Sequence, residues 1–216
     1  MRRISPLGAF LMGTAAGTFG SWVMELFFSA TKKIAPRPPE NVFTPPELQQ
    51  QRESANETVA RRVVEQLAQR GPLENKERAG ELVHYAYGAA WAGFYGLVAC
   101  TSRPARTLPG ALGFGTIVWA ASESIVLPLF RLGAWPHAYP LRNHAYSLAS
   151  HWAYGVATAG AFSAMLRLGG RPALAALGAL WLTRKVPSPV RPVARTLTRR
   201  GVGIAIRARD VVEAVR

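Results

Sequence analysis

His84-Tyr85-Ala86-Tyr87-Gly88 and His151-Trp152-Ala153-Tyr154-Gly155 are one phrase written twice, each time opening an apolar stretch long enough to cross a membrane. The stretches ahead of them also match, Gly8-Ala9-Phe10-Leu11-Met12-Gly13-Thr14 against Gly110-Ala111-Leu112-Gly113-Phe114-Gly115-Thr116. Such self-similarity reads as two copies of one helix pair. Outward from the phrase, the apolar stretches are four, at about residues 7–30, 82–99, 109–130 and 148–166. The first holds a single charge, Glu25, in 24 residues, and a bilayer crossing needs only about 20 apolar residues at about 1.5 Å each. The expected fold is all-α: an integral membrane four-helix bundle of two similar helix pairs within residues 1–168, with an extramembrane loop helix and a basic amphipathic C-terminal tail.

By averages alone, 216 residues with 49% hydrophobic and 18% charged side chains would suit a soluble domain. The arrangement argues otherwise, because the segments between the apolar stretches are charged and proline-rich. Arg2-Arg3 ahead of an apolar run raises a cleaved secretory signal, whose core is usually about 7 to 15 residues. This run is longer and three more follow, so an uncleaved first helix is expected. The single cysteine, Cys100, excludes an internal disulfide and is expected to pack near the end of the second span.

The net charge is +14, and residues 183–216 supply +7 of it, from nine basic residues against Asp210 and Glu213. No aromatic residues are interleaved with the tail's arginines, which disfavours nucleic acid as a partner. Val193, Leu197, Ile204 and Val211 lie among them instead, so the expected partners are the lipid bilayer and, for the tail, anionic lipid head groups.

Four spans put both termini on one side. Arg2, Arg3, Arg103, Arg106, Arg167, Arg171 and the tail fall there, against Lys32, Lys33, Arg37, Lys76, Arg78, Arg131 and Arg142 opposite. Basic residues beside span ends favour the cytoplasm, which is where both termini are expected. The loop over 31–81 opens with Pro36-Arg37-Pro38-Pro39 and reaches Pro45-Pro46, which resist helix. A surface helix is expected over about 47–70, where Val59, Val63 and Leu67 recur every four residues, ended by Gly71-Pro72. It reads as a connector resting on the membrane surface. In the last segment, 169–216, the apolar piece 173–182 would span only about 15 Å as a helix, and it reads as interfacial. Gly13, Gly17, Gly20, Gly88 and Gly155 are expected to let neighbouring helices approach closely.

The residues that are costly to keep in hydrocarbon are Glu25, Glu81, His84, Glu123, His144 and His151, each worth roughly 2.5 to 3.5 kcal/mol at a span centre when charged. Counting along an up-down-up-down bundle brings all of them toward the membrane face that carries the two loops. Imidazole titrates near 6.5 when unperturbed, so such a layer can exchange protons near neutral pH. The plain alternative is that each is an interfacial residue paired to a neighbour or to water. Glu81-x-x-His84 has the spacing of a di-iron bundle element, but those sites use it twice and Leu148 stands three residues before His151. No metal or other cofactor is therefore expected. No serine elbow, phosphate-cradling glycine loop or His-Glu-x-x-His pattern is present, so no catalytic residue is assigned and no enzyme is expected.

The chain resembles the YagU-like family of small bacterial inner-membrane proteins over about residues 5–168. The resemblance rests on the glycine-rich first span leading to Pro36-Arg37-Pro38-Pro39, the second span opening near His84, Pro128-Leu129 followed by Gly133-x-x-Pro136, and Ser150-His151 opening the fourth span. It implies a multi-pass protein of the bacterial inner membrane, without established biochemistry, associated by its family label with acid resistance. Glu123 stands where relatives can carry histidine, so an all-histidine site does not carry over. The function expected is a non-enzymatic, proton-responsive membrane protein using His84, His151, Glu123 and Glu25, with a small transporter or channel as the alternative and a metal-dependent membrane enzyme as the third class.

Overall fold

Local capping chemistry sets where the first four helices begin. Ser5 accepts a hydrogen bond from the Gly8 N–H at 3.1 Å ahead of α1 (Pro6–Thr31), where a first-turn proline has no N–H to leave unpaired. A capping box formed by Ser54 and Glu57 starts α2 (Ala55–Arg61), which widens into a π turn at Arg62–Leu67. Asn75 caps α3 (Lys76–Ala99), and Thr107 caps α4 (Leu108–Ala121). The last helix, α5 (Leu141–Arg167), follows Pro140. These five come from a computed structural model that describes residues 4–31, 54–69 and 71–168. Of the described residues 83% are helical and none lies in a strand, which makes the class all-α.

α4 does not stop at Ala121. It passes through a π turn, Ser122–Val126, in which the Leu127 N–H reaches back to the Ser122 carbonyl, and resumes over Leu127–Leu129. Pro128 accounts for the widening: it has no N–H to donate, and its ring would press on the carbonyl one turn earlier in a regular α-helix.

Glycine contacts give the directions. Gly13 lies against Ala92 and Gly96, and Gly17 against Gly88 and Ala92, so α1 and α3 run antiparallel. Gly20 meets Tyr154 and Thr158 on α5, while Gly115 of α4 meets His151 and Gly155 meets Ala111. A methyl on Gly13 would strike the Ala92 carbonyl oxygen, and one on Gly155 the Ala111 carbonyl oxygen. Glycine is thus what lets these backbones touch. Rings fill the space between α3 and α4 instead, Tyr95 and Phe114 lying 4.5 Å apart between centroids, with Phe162 of α5 5.9 Å from Tyr95. The two glycine-lined pairs differ in register. Gly13 sits beside Ala92 and Gly96, but its counterpart Gly115 sits beside His151 and Gly155, about two turns nearer the start of the partner helix.

The packed interior is made largely of small residues, Ala9, Ala16, Ala92, Ala99 and Ala111 among them, around Phe162 and Met165. Large aliphatic side chains point outward, such as Leu7 at 68% exposure, Leu82 at 70% and Leu129 at 67%. Two helices, Pro6–Thr31 and Leu108–Leu129, are long and apolar enough to cross a membrane by length and composition. α3 and α5 are as long, at 24 and 27 residues, but their mean hydropathy is lowered by Glu81, His84, Arg142, His144, His151 and several tyrosines.

Some boundaries depart from the sequence reading. α3 begins at Lys76 and α5 at Leu141, ahead of the apolar stretches at 82 and 148: the Asn75 side chain caps the first, and the second starts directly after Pro140, whose backbone is extended. The loop helix is shorter than 47–70. Its described part starts after Ser54 and ends at Leu67, where Gln69 adopts φ 50° before Gly71-Pro72 is reached. Thr58 and Ala60 are its buried residues, while Val63 and Leu67 of the apolar stripe are exposed. Residues 47–53, the turn at 36–39, the segment 173–182 and the basic tail lie outside the described residues.

Candidate functional site

Near the loop-side end of the bundle, α1, α3, α4 and α5 each bring a titratable side chain into one layer. On α1, Glu25 accepts a hydrogen bond from the Tyr85 hydroxyl of α3 at 2.7 Å. His84, one residue before that tyrosine, lies within electrostatic reach of Glu25 and beside the Ser21 backbone. Its Nε2 is buried and has no hydrogen-bond partner. His84 also acts electrostatically on His151 of α5, which feels Glu123 of α4 in turn.

Ser147 ties the second half together. Its hydroxyl donates to Glu123 Oε1 at 2.6 Å, and its carbonyl lies 2.9 Å from His151 Nδ1. A carbonyl only accepts, so the Nδ1 of His151 carries the proton and donates it. The order across the layer is Tyr85–Glu25, His84, His151, Ser147–Glu123. Glu123 sits in the π turn before Pro128, and widened turns of this kind recur where a helix must re-aim a functional side chain. The neighbouring Ser122 hydroxyl meets the Tyr87 hydroxyl at 3.0 Å, closing the α3–α4 side.

The remaining two candidates differ in where they lie. Glu81 lies beside His84 on an open cavity of about 270 Å³, whose lining includes Glu25 and Phe28 of α1 and Glu57 of α2. His144 is not brought to the layer. Its Nε2 donates to the Pro136 carbonyl at 2.9 Å, and its ring packs edge-on against Trp119 and Tyr139. It pins the start of α5 to the α4–α5 loop. Among the described residues no three His, Cys, Asp or Glu side chains converge as metal ligands would.

Tyr85, Tyr87, Ser122, Ser147 and the α2 residues join the candidates only in the folded chain. The two tyrosines belong to the repeated phrase and were open to notice there. Ser147 carries no such mark, since a serine four residues before a histidine is unremarkable until Glu123 is placed opposite it. No family model matches the chain, and no curated protein or solved structure is significantly similar to it.

Proposed function

We propose that this chain is a four-span inner-membrane protein, not an enzyme, whose layer of Glu25, His84, His151 and Glu123 responds to proton concentration. The carrying observation is that four helices each give one titratable group to a single electrostatically connected row. A row of two imidazoles and two carboxylates changes its total charge over the interval in which histidine titrates.

The membrane reading is supported by the inverted distribution of side chains, small residues between helices and leucine, isoleucine and phenylalanine outside. In water that surface would be an aggregation hazard; against lipid tails it is solvated. The sole cysteine tests the topology. In sealed vesicles of known orientation, a membrane-impermeant maleimide is expected to label Cys100 only from the side that faces the cytoplasm in the cell, since Cys100 follows α3 at the end opposite His84. Labelling from the other side would reverse the orientation.

Histidine-resolved 15N NMR of the protein in lipid nanodiscs tests the layer itself. His84→Gln is expected to displace the titration of His151, and His151→Gln that of His84, by equal free energies because coupling between two sites is reciprocal. His144, bonded to Pro136, is expected to be unaffected by either change. Independent titration of His84 and His151 would end the reading as a connected layer.

A further inference from the structure

We propose that the cavity beside His84 is the route by which protons reach this layer, and that α2 is its lid. The inference rests on the proton-responsive reading of the layer and adds where the exchange occurs and what controls it.

The cavity, about 270 Å³ and open to solvent, is lined from α1 by Glu25, from α2 by Glu57, and from α3 by Glu77, Glu81 and His84. His151 is not part of that lining. Its link to the cavity runs through His84, the group that feels Glu25 on one side and acts on His151 on the other, with Glu123 behind His151. The layer is therefore asymmetric: one imidazole borders the cavity and the other lies behind it. Carboxylates around an opening raise the local proton concentration and pass protons inward, which suits a cavity whose titratable lining is four glutamates and one histidine.

α2 has the fittings of a lid. Gly80 is buried, and a methyl on it would come within 2.8 Å of Glu57 Cγ and 3.0 Å of the Glu57 backbone nitrogen, so α2 closes on α3 only because this position lacks a side chain. Just past the other end of α2, Arg62 Nη1 makes an exposed bond to the Phe130 carbonyl at 2.7 Å. The Glu57 carboxylate is engaged in the capping box, which makes α2 a preformed unit that can move as a whole. A seven-residue helix with an exposed tether just past its end belongs to the part of a fold that opens at lower cost than the long helices.

The test is site-resolved mass spectrometry of imidazole acylation by diethyl pyrocarbonate, on the full chain in nanodiscs. His84 is expected to react roughly tenfold faster than His151, as the more readily exposed of the two. Gly80→Ala sets a methyl against Glu57 and is expected to hold α2 off α3 and speed His84 several-fold, while the exposed loop residue His137 reacts at one rate throughout. Arg62→Gln releases the tether and is expected to accelerate His84 as well. That variant decides the matter should Gly80→Ala fail to fold. Equal rates at His84 and His151, or a His84 rate indifferent to Arg62→Gln, overturn the proposal. Accessibility is read here without reference to coupling, so a lid can fail while the titrating layer stands, and the reverse.

Discussion

Valine at Gly13 is expected to disrupt the α1–α3 pair, with a stability loss at or above the upper end of the ~1–3 kcal/mol that overpacking costs. The added Cβ would strike the Ala92 carbonyl oxygen and come within 3.0 Å of the Gly96 Cα. Both obstacles are backbone, which cannot turn aside as a long side chain can. Valine at Gly96 meets the same contact from the other side, through the Ala9 carbonyl oxygen and the Gly13 Cα. The two changes share one interface, so their costs are expected not to add. Gly160 on α5 supplies the control, because nothing lies within 4 Å of its methyl position. Denaturant-induced unfolding of the purified protein in detergent measures all three variants. Equal damage from Gly13→Val and Gly160→Val would show that close helix approach is not what Gly13 provides.

The glycines illustrate what is legible in such a chain. Spacings of three and four along an apolar stretch put Gly13, Gly17 and Gly20 on one face, and a face without side chains is of use only against another backbone. The partner helix and the register are another matter. The matched phrases equate Gly13 with Gly115, yet the two meet their partner helices about two turns apart, because register is set by whichever side chains fill the space beyond the glycines. Depth counting brought Glu25, His84, Glu123 and His151 to one end of the bundle because rise per residue is nearly constant in a helix. It brings His144 to that end as well, but depth alone does not tell which groups meet there. His144 shares a stripe with His151 but lies seven residues, about 10.5 Å, nearer the loops, where it meets the Pro136 carbonyl instead of a carboxylate. The π turn that carries Glu123 was signalled only by Pro128, which announces an interruption without saying whether the helix kinks, ends or widens. Nor was the placement of α2 legible. Its stripe of Val59, Val63 and Leu67 is the conspicuous pattern, but α2 closes on α3 at Glu57, opposite a glycine, and leaves Val63 and Leu67 outside.

Alanine at Glu25 is expected to destabilise the fold by about 1–3 kcal/mol, since it takes the acceptor from a tyrosine hydroxyl that is buried between helices. Glutamine keeps an oxygen in the same place and is expected to cost much less. Phenylalanine at Tyr85 removes the donor instead, and the Glu25→Ala, Tyr85→Phe double-mutant cycle is expected to return a coupling of about 1 kcal/mol or more. These stability measurements describe a hydrogen bond that any buried carboxylate and phenol would make, whatever the protein does. The distinction between a structural bond and a responsive layer comes from His84. Glu25→Gln conserves the bond but abolishes the charge, so it is expected to displace the His84 titration seen by 15N NMR as far as Glu25→Ala does. Tyr85→Phe conserves the charge and is expected to displace it little. Should His84 follow the hydrogen bond and ignore the charge, Glu25 would be a packing partner of Tyr85 alone, and the row would begin at His84 with no carboxylate on the α1 side to bias it.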